Sequence, residues 1–328
     1  MRSRVRPRGA ALPTATINAV NLTWKPLGRE DVTAATELIN TVAHADGTGE
    51  VTTAESQAEM FGAPGFDPAL DTITAWDGAT LVGAGSVFVR ESLVDGRALT
   101  GVMGLIHPDH RGQGVGAQLL TRLEQRGIAK AGELHPGAPV RLRSPGGLAD
   151  SAAQRLLEAF GYRADNYFIT MEAELATWID PGIDILSVAP EPEHAEQIRQ
   201  AHNDAFRDHR NSSPIPSEHW EHLSNSVTLR TGQSRIVLEG GRVLAYAMAQ
   251  EFQPGVSHIG LVGTRREARG RGLAKDVLIG SLRSAKQAGY RVSELEVDST
   301  SPTGADRLYR SVGYEPVRVI SRYIRDVG

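Results

Sequence analysis

The sequence predicts an α+β fold, helices packed on a mixed sheet, used twice in tandem. Three observations carry this. The chain has 328 residues, about two domains at roughly 150 residues each. A Gly-rich turn between a strand-like and a helix-like run occurs twice, about half the chain apart: Gly104-Leu-Ile-His-Pro-Asp-His-Arg-Gly-Gln-Gly-Val-Gly116 and Val262-Gly-Thr-Arg-Arg-Glu-Ala-Arg-Gly-Arg-Gly-Leu-Ala274. A second echo follows each copy, Ala159-Phe160-Gly161-Tyr162 and Ser311-Val312-Gly313-Tyr314. Repetition at a long period is the mark of one fold copied. The expected organisation is a disordered leader over 1–21, a first domain over 22–179 and a second over 183–328, with Asp180-Pro181-Gly182 as linker.

The elements recur in the same order. In the first half, Leu22 to Leu27 reads as a strand and Asp31 to Ala43 as a helix. Thr72 to Trp76 and Leu81 to Arg90 are β-rich runs around Asp77-Gly78, a hairpin signal. Ala98 to Ile106 is a strand leading into the Gly-rich turn. Val115 to Ala131 follows with apolar Val115, Leu119, Leu120, Leu123 and Ile128 at helical spacing. A strand at Val140 to Arg143, a helix at Ser151 to Ala159 and strands through Glu174 complete it. In the second half, Ile183 to Val188 reads as a strand, and Glu191 to Arg207 and Glu218 to Ser224 as helices. Arg235 to Leu238 and Arg242 to Glu251 form a hairpin around Gly240-Gly241. Ser257 to Val262 is a strand, Leu273 to Ala288 a helix, Val292 to Val297 a strand and Thr303 to Val312 a helix. Strands at Glu315 to Val319 and Arg322 to Asp326 are expected to close the second half.

Composition removes several function classes. There are no cysteines, which excludes disulfide scaffolds, zinc-thiolate sites and thiol nucleophiles. No apolar run approaches the roughly 18 residues of a membrane span. The net charge of −4 argues against general nucleic-acid binding. Arginines cluster before residue 9, but no apolar segment of about 7–15 residues follows, so no secretory signal is read and a cytoplasmic location is expected.

The repeated turn has the chemistry of an anion cradle. Its glycines let the backbone approach a ligand, several N–H groups converge, and the following helix adds its positive N-terminal dipole. A pyrophosphate suits such a site. The dinucleotide fingerprint and the P-loop both need residues that neither copy has.

These residues, His107 to Gly116 and Arg269 to Ala274, resemble motif A of the GCN5-related N-acetyltransferase (GNAT) superfamily. The resemblance covers the chain from about residue 22 onward, as a tandem pair of acyl-CoA N-acyltransferase domains, an organisation similar to mycothiol synthase and to some acetyltransferases of antibiotic pathways. It implies acetyl-CoA as donor, possible in each half. The cofactor-binding residues it implies are Leu105, Ile106, Arg111, Gly112, Gln113, Gly114, Val115 and Gly116 in the first half. In the second they are Gly263, Thr264, Arg269, Gly270, Arg271, Gly272, Leu273 and Ala274. The pyrophosphate would rest on the turn amides, and the pantetheine arm in a slot where two strands splay.

The resemblance also separates the halves. Tyr309 falls on the family's general-acid position, whereas the first half has Leu157 there, a side chain with no proton to give. Pro302 stands where the family often has Asn, and Asp150 at the same place in the first half. An amine of pKa near 10 is almost wholly protonated at pH 7, so a base is required. Glu251, His258, Glu296 and Asp298 are the candidates, with Glu296 and His258 ranked first; alternation puts Glu294, Glu296 and Asp298 on one strand face. Phe206, Asp208, His209 and Trp220 are candidates for the acceptor site. His202, His209, His219 and His222, like His44 and Asp46, lack a metal-ligand spacing, and no metal is expected. The expected activity is transfer of acetyl to a primary amine of a small molecule by direct attack in a ternary complex, with the second half catalytic and the first weak or inactive. Acetylation of a protein or peptide amine, or a non-catalytic acyl-CoA-binding module, are the alternatives. The oligomeric state is left open, a monomer being compatible with two halves that already pair.

Overall fold

The computed structural model describes residues 21–207, 212–300 and 304–327. The leader expected over 1–21 lies outside these apart from residue 21, as do Asp208, His209 and Pro302. The first half runs β1 (Thr23–Lys25), α1 (Val32–Asp46), α2 (Ala54–Glu59), α3 (Pro68–Asp71), β2 (Thr72–Asp77), β3 (Thr80–Val89), β4 (Ala98–Ile106), α4 (Val115–Leu134), β5 (Val140–Gly147), α5 (Ala152–Ala159) and β6 (Arg163–Glu174). The second runs α6 (Ala195–Ala205), α7 (Ser217–Ser224), β7 (Arg235–Glu239), β8 (Arg242–Gln250), β9 (Val256–Thr264), α8 (Leu273–Gln287), β10 (Val292–Asp298), α9 (Ala305–Arg310) and β11 (Glu315–Val327).

Local chemistry sets most boundaries. The β2–β3 turn places Gly78 at φ +57°, and the β7–β8 turn places Gly240 and Gly241 at +56° and +74°, the left-handed backbone that tight hairpins need. Ser151 caps α5 by accepting the Gln154 N–H at 3.1 Å, which supplies one of the donors a helix start leaves unpaired. The strand expected at Ile183 to Val188 is absent. Asp276 of α8 instead accepts the N–H groups of Leu186 and Ser187 at 2.7 and 2.9 Å, and only Val188 bridges to Ile236. Short helices α2 and α3 occupy a stretch in which no element was expected.

All strands join one 11-stranded sheet in the order β1-β2-β3-β4-β5-β11-β6-β10-β9-β8-β7. Its centre departs from the expectation that residues 315–326 close the second half. They form one bent strand, β11, which lies between β5 and β6 and pairs antiparallel with both. In exchange, β6 of the first half pairs antiparallel with β10 of the second. Each half thus places its last strand in the other's sheet. The cores follow the strands: Tyr323 of β11 is buried with Leu119, Leu123 and Leu142 of the first half. Met171, Leu175 and Trp178, from the end of the first half, are buried with Val277, Leu282 and Leu295 of the second. Burying each such side chain contributes on the order of 2 kcal/mol, so the exchange joins the halves by side chains as well as by the strand ladder.

Within each half, the strand before the Gly-rich turn pairs in parallel with its neighbour for four registers and then parts from it. The last pairs are Gly101 with Arg143 in the first half and Ile259 with Leu295 in the second. Beyond them β4 runs on to Ile106 and β9 to Thr264, leaving a slot on one side of each strand.

Candidate active site

Two cradles stand at the ends of these slots. A 3₁₀ turn at Pro108–His110 precedes α4, and one at Arg266–Ala268 precedes α8. Gly112 and Gly114 have φ +74° and +78°, and Gly270 and Gly272 +75° and +80°. Gly114 and Gly272 are the N-caps, so the first amides of α4 and α8 point out of the helix ends without intrahelical partners. A Cβ on Gly112, Gly270 or Gly272 would meet no atom within 4 Å. The conformation requires glycine, and the space over each loop is open. Gly116 differs: a Cβ there would lie 3.2 Å from Leu156, on the side facing α5.

The two motif arginines bond within the protein. The Arg111 guanidinium donates to both carboxylate oxygens of Asp46 at 2.6 and 3.0 Å, and its Nε to the Ile106 carbonyl at 3.1 Å. Arg269 donates to the Ala205 carbonyl at 2.7 Å. Each ties its loop to the C-terminal end of the helix that crosses it, α1 or α6. Arg271 donates to Glu239 at 2.7 and 3.1 Å. These three guanidinium groups brace the loops, which leaves the backbone amides of each turn facing the open space.

Along the slots, Leu105 and Ile106 lie on β4, and Gly263 and Thr264 on β9, past the point where the neighbouring strand departs. Thr264 Oγ1 is buried without a partner among the described residues. Buried hydroxyls are nearly always paired, so this one fits a slot whose ligand is an amide-bearing chain. A Cβ at Gly263 would fall 2.5 Å from the Tyr246 ring; glycine lets that ring pack against the strand. The open cradles, the unpaired N–H groups and the orphaned hydroxyl together fit a pyrophosphate with an extended amide arm.

Tyr309 sits on α9 in the second-half core, 8% exposed, with its ring edge-on to Tyr314 at 6.2 Å. Its hydroxyl has no hydrogen-bond partner among the described residues. Burial pushes this phenol up to about 12, so it holds its proton throughout the physiological range. Leu157 in the first half is 3% exposed in an apolar cluster.

On the other face of the sheet, the second slot opens at Glu296, the first residue of β10 past its last pairing with β9. His258 Nδ1 lies 3.2 Å from Glu294 Oε1, one pleat before the slot. Glu294, Glu296 and Asp298 do alternate with the buried Ser293, Leu295 and Val297. Glu251 is not free to act as a base. It accepts from Arg230 Nε and from the Tyr290 hydroxyl, both at 2.8 Å, and these bonds hold its carboxyl below the ordinary range against the opposing effect of burial. A largely apolar cavity of about 270 Å³ reaches the slot at Gly260 and Leu261 and is bounded by Trp220, Met248 and Gln250. Phe206 lines a separate cavity of about 390 Å³ with Asn203, Arg207 and Arg265.

Two arrangements escaped the sequence reading, which weighed His202 only as a metal ligand. His202 on α6 hydrogen-bonds the fully buried Tyr246 hydroxyl through Nδ1 at 2.7 Å. Burial lowers this imidazole to about 4. Tyr246 stands in an uninterrupted apolar run, where nothing marks a tyrosine as different from core. The other group is the set of arginines around Phe168, taken up below. No cluster of three or more potential metal ligands occurs among the described residues.

The acetyltransferase (GNAT) family profile matches residues 37–162 and again 195–314. The chain belongs to the GNAT acetyltransferase family. The two matches fall on the two slots and cradles, so this is a tandem GNAT chain, and the family places it among acyltransferases that use a CoA thioester. A mycothiol acetyltransferase from Corynebacterium efficiens is 22% identical over 222 residues, covering 64% of this chain and 69% of that protein. Among solved structures, a GCN5-related N-acetyltransferase from Sphaerobacter thermophilus superposes with TM-score 0.73 at 24% identity, over 93% of this chain and 95% of its own. A tandem GNAT protein from the clavulanic acid biosynthesis pathway gives TM-score 0.69 at 15% identity, over 94% and 99%.

Proposed function

We propose that this GNAT chain is an acetyl-CoA-dependent N-acetyltransferase for a small-molecule primary amine, with residues 183–328 carrying the chemistry and residues 22–179 binding a CoA thioester without efficient turnover. The observation that carries the reading is the unpartnered Tyr309 hydroxyl in the second half, set against Leu157 in the first. The cavity of about 270 Å³ beside the second slot suits a small acceptor, and the name of the Corynebacterium relative points to the same class.

When bound, acetyl-CoA supplies an activated acetyl thioester that an amine can attack directly, since the chain has no cysteine to form a covalent intermediate. The residues then have two proton tasks. Glu296, with the His258–Glu294 pair one pleat away, takes the proton of the ammonium group, directly or through water. Tyr309 gives its proton to the departing sulfur. A free thiol has a pKa near 8.5, below that of Tyr309, so this transfer works only in close contact, where the thiolate is itself desolvated. The amides of Gln113 to Gly116 and Arg271 to Ala274 hold the pyrophosphate, and the slots align the thioester. Positioning by slot and cradle reduces the orientational cost of the reaction.

The test is a screen of small amines with free CoA release as readout, followed by Tyr309→Phe on the best acceptor. The variant is expected to lose about 10²- to 10³-fold in kcat while its acetyl-CoA affinity stays within about twofold, because the hydroxyl acts only on the leaving group. An unchanged kcat would remove Tyr309 from the mechanism. Release of CoA with peptide amines alone would move the reading to a protein acetyltransferase.

A further inference from the structure

Three arginines gather near the centre of the sheet without ion-pair partners. Arg143 stands on β5 at the last paired register of the first slot. Arg322 lies on the adjacent β11, opposite Pro145. Their guanidinium carbons sit 5.9 and 4.9 Å from the centroid of one ring, Phe168 of β6. Arg90 follows β3 and donates from Nη1 to the Ser213 hydroxyl at 3.4 Å. Among the described residues the side chains of Arg143 and Arg322 form no hydrogen bond or ion pair, and Arg143 Nε is buried without a partner. Burial lowers the basicity of Arg143 first, the neighbouring Arg322 charge adds to it, and Arg90 contributes further. Asp165 and Asp298 are felt by Arg143 but stand outside ion-pair distance; Asp298 already accepts from Asn166 and Thr300.

Packing like charges together with unpaired donors costs free energy, and apolar side chains would fill the same space at less cost. The arrangement becomes favourable when an anion joins it. Guanidinium groups match carboxylate and phosphate in planar, two-pronged geometry. The location gives such an anion a purpose. Phe168 pairs with Asp298 at the end of β10, so the arginines share a face with Glu296 and lie between the two slots. Glu50, in the loop after α1, is raised above the ordinary carboxylate value by removal from water and by the Glu296 charge, with Arg322 and Arg318 opposing. It therefore lies within electrostatic reach of both the arginines and the second slot.

We propose that Arg143 and Arg322, backed by Arg90, form an anion subsite for the acceptor, so that the substrate is an amine that also carries a carboxylate or phosphate group. The inference rests on the reading of the second half as the acetylating site. It assigns the first half a part in acceptor recognition, through Arg90 and Arg143, independent of turnover there.

The experiment titrates CoA-saturated protein by calorimetry with two matched pairs of probes: phosphoethanolamine against ethanolamine, and 5-aminopentanoate against 5-aminopentanamide. The anionic member of at least one pair is expected to bind about tenfold more tightly or better; which pair shows the larger preference identifies the group. The double variant Arg143→Met/Arg322→Met is expected to abolish the preference, and Arg143→Lys/Arg322→Lys to restore part of it. Equal binding within both pairs, or a preference that survives the double Met variant, overturns the proposal. A lower Tm in that variant with the preference intact would mark the arginines as structural and overturn it as well. The CoA saturation step separates the two failures: protein that takes up no CoA defeats the acetyltransferase reading, whereas CoA uptake without anion preference defeats only the subsite.

Discussion

The two halves share a glycine cradle and differ at one buried helix position. Both place glycines of positive φ at a helix start, both open a slot after four parallel registers, and both brace the loop with an arginine. At the position proposed for the proton donor, however, one half has a buried tyrosine hydroxyl without a partner among the described residues and the other a core leucine. Cofactor-type anion binding depends on backbone geometry that glycine secures, so it survives side-chain drift. Proton donation depends on one atom and is lost by one substitution. The first half has meanwhile become indispensable in another way, because the sheet of each half is completed by the other's last strand.

That dependence makes the largest prediction. Deleting residues 315–327 removes a strand from the middle of the sheet along with Tyr323 from the first-half core. Neither half should then unfold cooperatively, and circular dichroism melts should show loss of the native transition for the whole chain. A retained transition from the second half would show the halves to be separable. Next in size is the fall of two to three orders of magnitude in kcat described for Tyr309→Phe, which the corresponding Leu157→Phe should not reproduce.

A smaller effect concerns acid. His202 is held at about 4 when folded and returns to about 6.5 when unfolded. Between those values the unfolded chain binds a proton that the native state refuses, so stability falls as pH drops from 6.5 to 4 and is unaffected by this group above 6.5. The full loss is on the order of 3 kcal/mol. Urea unfolding of wild type and His202→Gln across this window should show a shallower pH dependence in the variant; parallel curves would remove His202 as the cause. The smallest effect is at Asp46. Its pair with Arg111 is partly exposed, and such pairs contribute at most about 1 kcal/mol. Asp46→Ala should weaken CoA binding in the first cradle by about threefold and leave the second unchanged, as calorimetry can resolve.

Features set by local chemistry were legible in the sequence. Ala98 to Ile106 was readable to the residue because a β-rich run ends in a glycine turn, and both turns were readable because their positive-φ positions favour glycine. The alternation at Glu294, Glu296 and Asp298 correctly assigned a face. Alternation identifies a face and not a neighbour, so the exchange of β6 and β11 was invisible: it rests on which strand lies beside which. Ile183 to Val188 has strand composition, but the distant Asp276 takes up the amides of Leu186 and Ser187. The destinations of Arg111 and Arg269 depend on helices far away in sequence. The arginines over Phe168 come from β5 and β11, with Arg90 from the segment after β3, and nothing in their local patterns marks them as a set.

The central claim is that two cradles bind and one half reacts. Its most direct test pairs Gly114→Val with Gly272→Val, measuring acetyl-CoA stoichiometry by calorimetry and turnover on one acceptor. Each substitution forces a β-branched residue into a left-handed backbone and should remove one of the two binding sites. The account predicts that Gly114→Val keeps turnover within about threefold and that Gly272→Val loses it by at least about 10²-fold. Turnover that survives Gly272→Val and disappears with Gly114→Val would contradict it.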